Sequence, residues 1–202
     1  MRTLAALVFP GFQTLDLFGP LEMLGDLDGE IKITIVGKTS GSVTSVHGQR
    51  LSIDRTINQG SDYDLLLIPG GDSALDIAKD GAVANWIVET ANRAELVMTV
   101  CTGSVLLATT GMLDERRATT NKLDFKQTVP LGPNVNWVAQ ARWVEDGKFF
   151  TSSGVSAGMD MILAAIAHLY GNDTAVNVAE GTEYQWHNDP EWDPFAKRAG
   201  LI

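Results

Sequence analysis

Four apolar runs of strand length constrain the fold of this chain more than any other feature. Each run is nearly continuous, whereas a half-exposed strand would alternate apolar and polar residues. Continuous runs are typical of parallel strands that are buried on both faces of a sheet. The runs occupy residues 3–9, 31–36, 64–68 and 96–100.

Segments with helical spacing of apolar residues separate these runs, at 14–24, 82–92 and 103–110. Strands that alternate with helices across short turns indicate an α/β fold. The sequence therefore predicts a flavodoxin-like, doubly wound and mostly parallel sheet that is flanked by helices.

After Gly111 the pattern becomes less regular. We expect a short strand at 117–120, a brief helix at 121–128, strands at 135–144 and 148–152, and helices at 154–170 and 173–185. No linker or repeat divides the chain, so we expect a single domain over 1–202. Its last part, about 185–202, is rich in Trp and Pro, and it should form an irregular arm on the domain or on a partner.

Composition excludes several classes of protein. The net charge is −10, and adjacent basic residues occur only as the isolated pairs Arg116–Arg117 and Lys197–Arg198, so we expect no nucleic-acid partner. No window approaches the ~20 apolar residues of a membrane helix, so we expect no membrane association. The N-terminal apolar run ends at Pro10-Gly11 without a small-residue cleavage site, and it is interpreted as the first strand.

Cys101 is the only cysteine, and it stands where a predicted strand meets a predicted helix. A lone cysteine forms no internal disulfide, so a cytoplasmic location is expected. Thr99 and Gly103 are small enough to let strand and helix approach at a nucleophile elbow. The helix N-terminus should lower the thiol pKa and favour the thiolate. The alternative is that Cys101 is a small core residue.

Two further corners should share the same sheet edge, where ligands bind in folds of this type. The first leads to Asp16, whose apolar neighbours should raise its pKa and make it a proton donor, unless it only caps the helix that begins near Thr14. The second contains Gly70 and Gly71. Their N–H groups, with that of Thr102, could form an oxyanion hole, unless they serve only as a turn.

The three histidines do not provide an obvious partner for Cys101. His168 falls in a predicted helix, on its apolar side, and is a poor candidate for a base. His47 or His187 would have to reach the site through the fold. No Cys and His residues have the spacing of metal ligands, so no metal site is expected.

Four stretches of the chain carry a resemblance to known proteins, namely FPGFQTLDLFGPLE, LLIPGG, VCTGSVLLATTGMLDERRATTNK and FFTSSGVSAGMDM. Together they resemble the ThiJ/PfpI superfamily, whose flavodoxin-like domains are related to class I glutamine amidotransferases. Among its members, the isonitrile (isocyanide) hydratases are the most similar. The resemblance implies that Cys101 is the nucleophile, that Asp16 is its acidic partner and that Thr102 borders the pocket.

The resemblance also implies a reaction, the hydration of isonitriles to N-substituted formamides through a thioimidate on Cys101. No cofactor is expected, and the substrate should be a small apolar electrophile in an aliphatic and aromatic pocket. A homodimer is expected from the family and from the tryptophans of the arm.

Two departures from related patterns bear on the function. Protease-like members carry a histidine directly after the cysteine, where this chain has Thr102, and this disfavours a peptidase. Relatives usually have a histidine where this chain has Asn121, which changes the pocket wall. The alternatives are a glyoxalase- or amidase-like enzyme and a non-enzymatic sensor of oxidants or a small ligand.

Overall fold

The computed structural model describes residues 1–202. Each of the four apolar runs forms a strand as predicted, but three short strands and no α-helix lie between the second and third runs. The strands are β1 (Arg2–Leu7), β2 (Ile31–Gly37), β3 (Ser42–Thr44), β4 (Arg50–Ser52), β5 (Arg55–Thr56), β6 (Leu65–Ile68), β7 (Leu96–Val100), β8 (Arg117–Ala118), β9 (Asn136–Trp137), β10 (Trp143–Asp146) and β11 (Phe149–Ser152). The helices are α1 (Thr14–Gly25), α2 (Ala74–Ile77), α3 (Gly81–Arg93), α4 (Gly103–Ala108), α5 (Phe125–Thr128), α6 (Ala157–Tyr170), α7 (Asn172–Gly181) and α8 (Pro194–Arg198). Short 3-10 turns cover Ile57–Gln59 and Val129–Leu131.

The central sheet has seven strands in the order β10-β11-β7-β6-β1-β2-β5. Its strands are parallel except for β10, which pairs antiparallel with β11. This confirms the predicted α/β, mostly parallel class. Strands β7, β6 and β1 are neighbours, so the corners that follow them lie side by side at one edge. Strand order reverses at β1, which is where such sheets bind ligands.

Helices cover both faces of this sheet. Along the order of strands in the sheet, the step from β1 to β2 runs in one direction and the step from β6 to β7 runs in the opposite direction. Because both crossovers are right-handed, the helices α1 and α3 lie on opposite faces of the sheet. Helix α6 packs against α1 and α7, whereas α4 packs against α2 and α3. Both layers bury apolar side chains against the sheet in a core cluster of 46 residues. None of the helices is long and apolar enough to span a membrane.

Several predicted boundaries in the second half are wrong. The helix expected over 121–128 covers only α5, because the side-chain oxygen of Asn121 accepts hydrogen bonds from the N–H groups of Leu123 and Asp124 and holds a turn there. The strand expected over 135–144 is two short strands, β9 and β10, that pair with different neighbours.

Two helices are shorter than predicted. The one expected over 154–170 begins at Ala157, since residues 153–156 form a loop against the Cys101 corner. The one expected over 173–185 ends at Gly181, where the Thr182 hydroxyl bonds to the carbonyl of Val178 and Glu183 adopts a left-handed conformation with φ 50°.

The C-terminal arm lies on its own domain and contains one helical turn, α8. The Trp186 indole N–H donates to the carbonyl of Asp160, and the N–H of His187 donates to the Asp160 carboxylate. The same carboxylate receives Arg142 Nε at 2.7 Å, so a buried ion pair anchors the arm. Trp186 is therefore held by its own domain, whereas Trp192 is 42% exposed.

Candidate active site

Cys101 occupies the sharp corner between β7 and α4 that the sequence predicts. Its φ is 58°, a left-handed conformation that a residue with a side chain adopts at a cost of about 1–2 kcal/mol. The next turn is tight enough that only glycine fits at 103, where a Cβ would lie 2.3 Å from the carbonyl oxygen of Ile68. The corner projects the thiol towards the edge of the sheet beyond β6 and β1.

Hydrogen bonds hold this strained corner in place. The carbonyl oxygen of Cys101 accepts from the hydroxyls of Thr120 at 3.0 Å and Ser104 at 3.1 Å. Its N–H lies 3.2 Å from the carbonyl of Ser152 and 3.3 Å from that of Ser153. Surrounding residues that over-determine a strained conformation are typical of functional sites.

Asp16 lies in the first turn of α1 with a fully buried side chain. Its Oδ2 accepts a hydrogen bond from the N–H of Gly70 at 3.0 Å, and its Oδ1 has no hydrogen-bond partner. The alternative role as a helix cap is excluded, because Gln13 is the N-cap and no side chain caps this helix. Thr14 is the first helical residue.

Burial raises the pKa of Asp16 from 3.8 to about 7, against the opposing effects of the Gly70 N–H and the Cys101 side chain. This is the direction that its apolar neighbours predict. A carboxyl group that titrates near neutral pH both donates and accepts protons under physiological conditions.

Gly70 and Gly71 hold the side chains around the thiol. The Gly70 N–H is engaged by Asp16, and the Gly71 N–H donates to Thr102 Oγ1 at 3.1 Å. A Cβ on Gly70 would lie 2.5 Å from that same oxygen, so the approach requires glycine. Since both N–H groups already have acceptors, the predicted oxyanion role would require these hydrogen bonds to break.

Asn121 is a site residue whose role the sequence did not reveal. Its Nδ2 donates to Cys101 Sγ at 3.0 Å, while its Oδ1 accepts two backbone N–H groups that fix the orientation of the amide. Gly154 lies against both groups, and a Cβ there would be 2.9 Å from Sγ. The only signal in the sequence was that asparagine stands where a histidine was expected.

The predicted lowering of the Cys101 pKa is wrong. The thiol is only 6% exposed, and burial, together with the negative charge of Asp16, raises its pKa well above the ordinary value. Asn121 and the N–H of Thr102 oppose this shift but do not overcome it. Helix α4 has six residues, and its dipole does not outweigh the cost of burying a thiolate.

We therefore expect iodoacetamide to label Cys101 more slowly than a free cysteine at pH 7, and the rate to keep rising above the usual thiol pKa of about 8.5. Asp16→Asn should accelerate labelling at a given pH, because it removes a like charge from the thiolate. Intact-mass measurements of the rate against pH test both effects. Wild-type labelling as fast as that of a free cysteine at neutral pH would contradict this account.

Cys101 opens into a cavity of about 380 Å³. The expected aliphatic and aromatic lining is wrong for this cavity: it has no aromatic residue, and besides Cys101 only Leu75 and Val155 are apolar. The side chains that line it are otherwise polar, namely Gln13, Asp72, Thr102, Asn121, Asp124, Gln127 and Thr128. A second cavity shares Asn121 and Val155 and has a more apolar wall that includes Leu15, Leu123 and Phe195.

No histidine lines the Cys101 cavity. His47 is exposed and its Nδ1 lies 3.0 Å from Thr14 Oγ1, and His187 lines a separate cavity beside Arg142. His168 is exposed and pairs with Glu145 at 3.0 Å, so its expected place on the apolar side of α6 is wrong. No group of three or more metal-ligating side chains occurs.

Comparison with known proteins shows which family this chain resembles. Residues 2–168 match the DJ-1/PfpI family. An isonitrile hydratase from Pseudomonas putida is 34% identical over 180 residues, which cover 88% of this chain and 76% of that protein. The HTH-type transcriptional regulator CdhR of Pseudomonas aeruginosa is 28% identical, over 86% of this chain and 52% of its own length.

Among solved structures, a THiJ/PfpI family protein from Pseudomonas syringae superposes with a TM-score of 0.84 and 31% identity, covering 100% of this chain and 84% of the other. The match includes the strands and helices that carry Cys101 and Asp16. This chain belongs to the DJ-1/PfpI family.

Proposed function

We propose that the protein hydrates isonitriles, R–N≡C, to N-substituted formamides. The observation that carries the proposal is the pair of Cys101, held at a strained corner, and the buried Asp16, whose pKa is about 7. The 34% identity to an isonitrile hydratase supports the choice of substrate. Hydration of an isonitrile requires a nucleophile and a proton carrier close together, and it requires no cofactor.

In the first step Asp16, as a carboxylate, takes the thiol proton of Cys101 and delivers it to the terminal carbon of the isonitrile. The sulfur forms a bond to that carbon, and the product is the thioimidate R–N=CH–S–Cys101. Because the proton passes through Asp16, the step does not need a free thiolate in the resting enzyme. The raised pKa of Cys101 is therefore compatible with attack.

In the second step the Asp16 carboxylate accepts a proton from water as the oxygen adds to the thioimidate carbon. Asp16 passes this proton to the nitrogen. It then takes the proton of the added hydroxyl and delivers it to the sulfur as the C–S bond breaks and the Cys101 thiol leaves. The product is R–NH–CHO, and the pair returns to its starting protonation state. Thr102 and Asn121 border the sulfur throughout, and the Asn121 amide donates to it as it gains negative charge.

Replacement of Asn121 with alanine should lower kcat/KM by about tenfold to a hundredfold, the effect of losing one hydrogen bond to a charged atom. Asn121→Asp is the matched variant: it keeps the size and the turn but places an anion against the sulfur, so the loss should be larger. Steady-state hydration rates and the pH dependence of thiol labelling measure both changes. Unchanged rates in both variants would remove Asn121 from the mechanism.

A comparison of three substrates tests the proposed function. An alkyl isonitrile, methylglyoxal and a chromogenic amide are incubated in parallel with the wild type and with Cys101→Ala. The proposal expects loss of the isonitrile alone, with stoichiometric formamide, and only with the wild type. Consumption of methylglyoxal or the amide instead would favour a glyoxalase- or amidase-like enzyme, and turnover of none would favour a sensor.

We also propose that the protein acts in the cytoplasm as a homodimer. Family membership supports the dimer. The large exposed apolar side chains near the second cavity also support it: Leu15 and Phe18 on α1, Leu123, and Phe195. Light scattering at micromolar protein should give twice the chain mass of 21.8 kDa.

A further inference from the structure

Two carboxylates face the Cys101 cavity with no cation beside them. Asp72, which follows β6, and Asp124, which precedes α5, both line the cavity, and its lining includes no lysine, arginine or histidine. Neither carboxylate takes part in a salt bridge. Burial raises the pKa of Asp124, and the negative charge of Asp72 adds to the same shift, so the two carboxylates lie close enough to interact.

A buried hydroxyl in the same cavity independently indicates a missing ligand. Thr128 lines the cavity and is only 1% exposed, yet its Oγ1 has no hydrogen-bond partner. Buried polar atoms are nearly always paired, so an unpaired one at a cavity wall indicates that a ligand atom completes it. Thr128 lies one helical turn after Asp124, since its N–H donates to the Asp124 carbonyl at 2.9 Å.

We propose that this cavity selects isonitriles whose R group carries an ammonium cation, bound between Asp72 and Asp124 and completed by the Thr128 hydroxyl. The reactive carbon would then lie at Cys101. A cation between two carboxylates relieves their repulsion, and an ammonium N–H supplies the donor that a hydroxyl oxygen accepts. This inference rests on the proposed function, because it names the substrate class of the same site.

The charge preference of the cavity is measurable without hydration, because Cys101 is the only thiol. Three methanethiosulfonates label it, with an ammonioethyl, a methyl or a sulfonatoethyl group. For each protein, the labelling rate with a charged reagent is divided by the rate with the methyl reagent, which cancels the thiolate fraction. This ratio is then divided by the same ratio for a small thiol in solution, which cancels the intrinsic reactivity of the reagents. The wild type should favour the cation over the anion by about tenfold or more.

The Asp72→Asn/Asp124→Asn double variant should lose most of this preference. Asp28→Asn is the matched control, because Asp28 is an exposed carboxylate in the connection before β2, at the opposite edge of the sheet. It should leave the ratio unchanged. No cation preference in the wild type, or an equal preference in the double variant, would overturn the proposal.

Hydration supplies the second readout with two isosteric substrates, 3-ammoniopropyl isonitrile and butyl isonitrile. The wild type should show a higher kcat/KM for the cationic one, and the double variant should not. Equal or higher kcat/KM for the neutral isonitrile overturns the cation proposal and leaves the hydratase function standing. If neither isonitrile reacts, the hydratase function fails, and the labelling ratio alone decides whether the cavity binds cations.

Discussion

Replacing Cys101 with alanine should reduce isonitrile hydration by on the order of a thousandfold or more, which is the scale of effect for removing an attacking nucleophile. The other side chains that line the cavity provide hydroxyl, amide and carboxylate groups, which are much weaker nucleophiles than a cysteine sulfur. Formamide production per unit of folded protein measures the loss.

Cys101→Ser is the matched control for this prediction, since it retains a polar side chain of similar shape at the same strained corner. It should be almost as inactive as alanine, because a hydroxyl is harder to ionise than a thiol. Both variants should unfold at temperatures close to the wild type. A serine variant with wild-type activity would mean that the reaction does not depend on sulfur.

Asp16→Asn should lower kcat by about a hundredfold or more, the usual scale for a lost general acid or base. Asparagine preserves the shape and accepts the Gly70 hydrogen bond, but it carries no proton between sulfur, substrate and water. The wild-type rate should rise as pH increases through about 7, where Asp16 ionises, and the variant should lack this step. Asp16→Glu restores a carboxylate one methylene further out and should recover partial activity.

The same substitution should leave folding intact or improve it. The pKa of Asp16 is raised from 3.8 to about 7 on folding, so the native state binds the proton more tightly. The contribution of Asp16 to the free energy of unfolding is therefore largest below pH 3.8, and it is lost as the pH rises through about 7. The cost at pH 8 is up to about 4 kcal/mol.

Asp16→Asn removes this dependence, so the variant should equal the wild type near pH 4 and exceed it in the free energy of unfolding at pH 8. Denaturant titrations at the two pH values measure the difference. An Asp16→Asn protein that retains turnover but loses stability at pH 8 would show that the residue is structural, and that the proton carrier lies elsewhere.

The sheet was predictable because each buried parallel strand is an apolar run in sequence. Strand β7 matches its run residue for residue, and β1, β2 and β6 differ only at their ends. The second half was less predictable, because its turns depend on contacts between distant residues. Asn121 bends the chain out of a helix by a local side-chain bond, and β8 pairs with β9 rather than joining the central sheet.

The position of the candidate site and the raised pKa of Asp16 were predictable, but the raised pKa of Cys101 was not. Cys101, Asp16, Gly70 and Thr102 come together because three adjacent strands end at one edge. The sequence indicates a helix N-terminus at the thiol, but it does not show how deeply the thiol is buried, and burial determines the direction of the pKa. The polar wall of the cavity was not predictable either, because Asp72 and Asp124 line it from elements that are far apart in the chain.

The central claim is that hydration proceeds through a covalent bond between Cys101 and the isonitrile carbon. Mass spectrometry of the wild type, quenched rapidly during turnover of an alkyl isonitrile at saturating concentration, tests it. The account predicts a protein heavier by the full mass of one isonitrile, with the modification at Cys101. Formamide release by Cys101→Ala at the wild-type rate, or the same adduct on that variant, would contradict it.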